Sequence, residues 1–149
     1  MMKTVITIIF SLLLVGCPKN IEGGFTSLSK GNLFGNGVEG FKKENIVISS
    51  KGEWKSFLLK IDTTNKVSKT FENAIDFSKE MIIISIDKVR NSGGFSVEII
   101  EAVKEGGAFL IKVKTKGPKP LDMVTSVIIQ PYHIVKIKKT NKKIKFIEL

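Results

Sequence analysis

The stretch Met81-Ile82-Ile83-Ile84-Ser85-Ile86 is apolar on both of its parities. Side chains alternate between faces along a strand, so a strand of this composition can leave neither face in water. The run is too short for a buried helix and rich in β-branched residues, which suits the central strand of a sheet covered on both sides. Neighbouring segments supply more of that sheet. Phe95, Val97 and Ile99 alternate with Ser96 and Glu98, and Gly106-Gly107 predicts a hairpin turn into Phe109, Ile111 and Val113. Gly117-Pro118-Lys119-Pro120 ends that ladder, because proline donates no amide. Further strands are expected over about Val124 to Gln130 and Tyr132 to Lys138, with Thr140-Asn141 turning into a last one, Ile144 to Ile147.

One helix stands out before the central strand. Ser50-Lys51-Gly52-Glu53 has the spacing of a capping box, and Trp54, Phe57, Leu58 and Ile61 follow at i, i+3, i+4 and i+7 as one apolar stripe. Asn45 to Ser49 reads as a strand leading into it, and a polar linker follows through Lys69. Residues 18–45 hold six glycines, so part of this stretch is expected to be a flexible tether, with Phe25 to Leu28 and Val38 to Phe41 as candidate short strands. The expected fold is α+β and mainly β: an antiparallel β-sandwich or roll with one short N-terminal amphipathic helix, formed as a single domain by residues 25–149.

The first residues have another purpose. Lys3 precedes an eleven-residue, mostly apolar run from Val5 to Val15, too short for the roughly 20 residues that cross a bilayer. It fits the core of a secretory signal peptide. Leu14-Val15-Gly16-Cys17 resembles a bacterial lipobox, so residues 1–16 are expected to be removed and Cys17 to be acylated, with 17–24 as the tether. Two or three acyl chains make such an anchor effectively permanent. Pro18 stands where an acidic residue often retains lipoproteins at the inner membrane, which favours the outer membrane or cell surface of a bacterial envelope.

Chemistry is sparse. One cysteine and one histidine exclude a disulfide framework and a Cys/His zinc set, and no metal or cofactor is expected. No nucleophile elbow, zinc-protease helix or phosphate loop occurs, the carboxylates form no recognisable pair, and His133 shares a parity with Val135 and Ile137, as a buried imidazole does. The chain therefore reads as non-catalytic. Its 24 basic residues against 14 acidic ones give a formal charge of +10, and Lys112, Lys114 and Lys116, like Lys136 and Lys138, fall on one parity. These lysines read either as a solvated face that guards strand edges or as a contact for anionic headgroups, wall polymer or an acidic partner. Nucleic acid is not an expected partner, because no aromatic platform interleaves the basic strands.

Two loops remain as candidate binding elements. Arg90-Asn91-Ser92-Gly93-Gly94-Phe95 lets backbone approach a partner closely, and Gln130-Pro131-Tyr132-His133 offers a stiff turn with an amphipathic ring. The plainer alternatives are a turn or bulge at Gly93-Gly94 and a strand boundary at Pro131.

Ile75 to Ile83, Ser92 to Ile99, Pro118 to Thr125 and Pro131 to Ile137 together resemble the C-terminal domain of the protease complex subunit PrcB family, with a core of about residues 75–139. The resemblance implies a lipoprotein subunit without catalytic activity that associates with an envelope or surface protease and helps stabilise or mature it. It also implies that Arg90 to Phe95, Pro118, Pro120 and Gln130 to His133 contact the partner. An antiparallel sandwich with such loops resembles the chagasin-type inhibitors of cysteine proteases as well, which gives an inhibitor as an alternative. A third reading is an envelope lipoprotein that binds anionic lipid or wall polymer through its lysines. Oligomeric state is not legible in the sequence.

Overall fold

The computed structural model describes residues 24–72 and 74–149. The expected leader, the expected lipobox with Cys17 and most of the expected tether lie outside the described residues. Along the chain come β1 (Thr26–Phe34), β2 (Glu44–Ile48), α1 (Lys51–Ile61), a 3-10 turn (Val67–Thr70), β3 (Glu80–Ile86), β4 (Ser96–Glu105), β5 (Ala108–Lys116), β6 (Ile129–Lys138) and β7 (Ile144–Glu148). Four strands form one antiparallel sheet in the order β1-β6-β3-β2, and three form a second in the order β4-β5-β7.

The two parities of β3 meet two different layers. Ile82, Ile84 and Ile86 pack under the helix with Trp54, Phe57, Ile61, Tyr132 and Ile134. Met81 and Ile83 face the second sheet, with Val97, Ile99, Ile111, Val113, Val135 and Ile137. The architecture is thus helix, four-stranded sheet, three-stranded sheet, and the doubly apolar run is its middle layer. The capping box forms as the spacing predicts: the Glu53 amide donates to Ser50 Oγ at 3.3 Å, and the Ser50 amide donates to Glu53 Oε2 at 3.1 Å. Burying Trp54, Phe57 and Ile61 contributes roughly 1.5–3 kcal/mol per side chain, an upper bound for an extended reference chain. Gly106 and Gly107 both have positive φ, at 53° and 81°, as the turn that best matches strand twist requires.

Several expectations are corrected. Val38 to Phe41 is not a strand, because Gly35, Asn36, Gly37 and Gly40 all have φ between 60° and 112° and coil the chain into turns. The glycine-rich lead-in is not tether beyond residue 24: β1 runs straight through Gly31, which lies alongside the Tyr132 ring. The polar linker holds the 3-10 turn, which buries Val67. Nothing between Val124 and Ile128 is strand, and β7 lies parallel to β5 rather than antiparallel, since it enters the second sheet from β6 of the first.

The expected break at Pro131 is also absent. Proline 131 stands inside β6, which pairs with β1 on one side and β3 on the other. Its carbonyl accepts the Asp87 amide at 2.9 Å, and a regular ladder would return an N–H from residue 131 to the Asp87 carbonyl. Proline has none to give. The Gln130 side-chain amide supplies it, donating from Nε2 to the carbonyls of Asp87 and Phe41, each at 3.0 Å. Gln130 is 1% exposed because its side chain does the work of a backbone donor.

Candidate functional site

β1 ends at Phe34, β3 ends at Ile86, β5 ends at Lys116 and β6 begins at Ile129, and these four points share one end of the sandwich. Three connecting segments, 35–40, 87–95 and 117–128, therefore meet there. Arg90 exchanges two backbone hydrogen bonds with Ile129, at 2.7 and 3.0 Å, which extends the β3 side of the sheet into the loop. The Gly93 amide then donates to the Thr125 carbonyl at 3.0 Å.

Glycine allows these loops to close on each other. A Cβ on Gly93 would stand 2.3 Å from Thr125 Oγ1, and one on Gly117 would stand 2.8 Å from the Phe95 ring. Gly94, at φ 86°, packs against Pro118 and Val124. The close backbone approach that the Gly-Gly pair allows is thus made to the chain's own Pro118 loop. A charged strut braces this contact from below. Asp87 is 1% exposed and accepts from Arg90 Nη2 at 2.7 Å and Nε at 2.8 Å, while the guanidinium lies 4.3 Å from the centre of the Phe95 ring.

What the braced loops present is apolar and strained. The Lys119 carbonyl accepts the Asp122 amide at 3.0 Å, and the Asp122 carboxylate accepts the Lys119 amide at 2.7 Å, closing a turn with Pro120 second and Leu121 third. Leu121 has φ 77°, in the place where such a turn favours glycine. A branched side chain there costs roughly 1–2 kcal/mol, and Leu121 is fully exposed, so its side chain gains no packing within the fold in return. Met123 is fully exposed too, and Val124, Ile128, Phe34 and Val38 are exposed on the adjoining segments. Lys88, Lys116 and Lys119 are exposed on the same loops.

The expected binding residues divide accordingly. Asn91, Gly94 and Pro120 are exposed, and Arg90, Ser92, Phe95 and Pro118 are half-buried in the loop end. Gly93 is buried against Thr125. Gln130, Pro131, Tyr132 and His133 are all interior, which corrects the expectation that they offer a surface ring. Tyr132 belongs to the core under the helix, with its hydroxyl 3.0 Å from Ser29 Oγ. Losing the Pro-Tyr-His element from the surface removes one of the three loops on which the inhibitor comparison rested.

The five lysines singled out by parity do not form one surface either. Lys112 pairs with Glu101, which raises its pKa, and Lys136 pairs with Glu80 at 2.8 Å. Lys114 stands exposed on the outer face of the second sheet, Lys116 belongs to the loop end, and Lys138 ends β6 at the far end of the sandwich. Sequence reasoning missed Asp87 and Leu121, and it read Gln130 as a surface contact where the side chain is an interior donor. The signal for Leu121 was readable as Pro120-Leu121-Asp122, a turn whose third residue is not glycine.

His133 is structural. Its Nδ1 accepts the Ile99 amide at 2.8 Å beside the bulge in β4, so Nε2 carries the proton toward Ser27 Oγ at 2.9 Å, and Phe25 meets the ring edge-on. Burial first, then the Lys30 charge on β1, pushes its pKa down to about 4, with Glu98 on β4 opposing. The unfolded histidine, near 6.5, binds the proton more readily across that window. Stability is therefore full above about pH 6.5 and falls toward pH 4, by up to about 3 kcal/mol for this group. Urea midpoints at pH 7 and 4.5 check this. A His133→Asn variant should lose less between the two; equal losses would contradict the assignment.

Among the described residues, no group of three or more His, Cys, Asp and Glu side chains is arranged to hold a metal ion. A cleft of about 530 Å³ opens at the start of α1, lined by Lys51, Trp54, Ala74, Ile75, Asp76 and Phe77. The fold and its loops define a helix-covered two-sheet sandwich with a preorganised apolar end. Residues 81–138, from β3 through β6, match the family model described as PrcB C-terminal, which bears out the PrcB resemblance over that span. No curated protein and no solved structure matches the chain. The matched segment contains the Asp87-Arg90 strut, the Gly-Gly loop and the Leu121 turn. The family suggests the role of a protease-associated subunit.

Proposed function

We propose that the protein is a lipid-anchored accessory subunit of a cell-envelope protease, anchored through Cys17 at the outer membrane or cell surface. It holds the protease through the apolar loop end and stabilises or regulates it without a catalytic group of its own. The observation that carries this reading is the fully exposed, strained Leu121 beside Met123, braced by the Gly-Gly loop inside the segment that matches the family model. A strained apolar side chain that packs against nothing in its own fold points to a use outside the fold. Burying Leu121 and Met123 against a partner contributes roughly 1.5–3 kcal/mol each.

Replacing Leu121 by glycine separates function from stability. Leu121→Gly relieves the positive φ, so the urea midpoint should stay level or rise. Combined with Met123→Ser, it should weaken binding of the co-purified protease roughly tenfold or more. Unchanged binding by the folded double variant would refute the site.

A further inference from the structure

The two ends of the sandwich differ in chemistry. Opposite the apolar loops, Glu80 stands in backbone register with Lys138, the Lys139 amide donates to the Lys79 carbonyl, Lys104 stands in register with Phe109, and the Phe109 amide donates to the Lys143 carbonyl. Those contacts gather Lys79, Lys104, Lys138, Lys139, Lys142 and Lys143 at one end, and all six are exposed. The acidic groups beside them are few. Asp76 lies 3.6 Å from Lys79, Glu105 is exposed at the hairpin, and Glu80 is already paired with Lys136.

The chain also enters on this side. Thr26 pairs with Lys136, and Gly24 abuts the Ala102 carbonyl in the half of β4 nearer the hairpin. Six residues separate Gly24 from Cys17, and at full extension that link reaches about 25 Å. The ten residues of β6 carry the apolar loops roughly 33 Å away from Lys138. An anchored chain can therefore bring its basic end to the bilayer readily, while a link of this length resists turning the loop end toward it.

We propose that the lysine-rich end lies on anionic phospholipid headgroups and holds the apolar loop end out from the membrane toward its protein partner. This rests on the reading of Cys17 as acylated. Each lysine brought to an anionic surface adds about a fivefold factor in partitioning.

The test uses the full lipidated chain in vesicles of phosphatidylcholine alone or with about a third phosphatidylglycerol, doped with a headgroup-labelled acceptor lipid. A donor dye is placed at Asn141→Cys or, separately, at Met123→Cys. With phosphatidylglycerol the dye at 141 should transfer strongly and the dye at 123 weakly. Transfer from 141 should fall in phosphatidylcholine alone, at about 0.5 M salt, and on replacing Lys138, Lys139, Lys142 and Lys143 by glutamine. Equal transfer from both positions, or transfer from 141 indifferent to lipid charge, overturns the proposal and leaves the anchor standing. A chain that fails to float with phosphatidylcholine vesicles overturns the anchor as well.

Discussion

Tyr132→Ala is expected to remove about 3–5 kcal/mol of stability, a large share of the 5–15 kcal/mol typical of a domain. The ring sits in the core with Leu33, Ile84 and Ile134, and it packs alongside Gly31 on β1. Truncation opens a cavity between strands that cannot close on it, because both neighbours are hydrogen-bonded into the ladder. The hydroxyl contributes separately. Tyr132→Phe keeps the packing and loses only the bond to Ser29, at about 0.5–1.5 kcal/mol. Denaturant unfolding of the two variants checks both figures. An alanine variant as stable as wild type would mean that the ring is not in the core. A loss of partner binding in the alanine variant would report unfolding and not a contact, so Tyr132 is a poor probe of the binding end.

Asp87→Ala should act on the loop end itself. Removing a 1%-exposed carboxylate leaves Arg90, whose side chain is 19% exposed, without its partner, and an uncompensated buried charge of this kind costs about 3–5 kcal/mol. Arg90 retains some access to water, which brings the expectation to roughly 2–4 kcal/mol. The damage is directed. The guanidinium lies over Phe95, Phe95 packs on Gly117, and Gly117 begins the loop that carries Leu121. Asp87→Ala should therefore raise hydrogen exchange across 90–95 and 117–128 before it affects β3 or β6. Adding Arg90→Met removes the stranded charge, so the double variant should be more stable than Asp87→Ala alone. If the double variant is the weaker of the two, the strut is not an ion pair of this kind.

The layers of the fold were legible because they follow from periodicity. A strand apolar on both parities demands two covers, and the capping box with its stripe at Trp54, Phe57 and Ile61 names one of them. The register through Pro131 was hidden. Proline predicts a break, and only the contact between Gln130 and a carbonyl 43 residues earlier in the chain shows how the ladder survives it. The same distance in sequence conceals the site. Gly93-Gly94 and Pro118 are visible as loop residues, but that they close on each other depends on the register of β3 against β6. The lysines misled for a related reason: parity assigns each to a face of its own strand, whereas their grouping is set by which strand ends meet. Burial of the Pro-Tyr-His element came from the two-sided cover on β6, which sits beside β3 in the middle layer.

The central claim is that the apolar loop end is the surface that meets a protease. Photocrosslinking from within the native envelope tests it most directly, with a photoreactive residue at Leu121 in one chain and at Ile147, on the outer face of the second sheet, in another. The account predicts that the first chain captures a protease, identified by its peptides and its activity, and that the second does not. Capture of the protease from position 147 with none from 121 would contradict it.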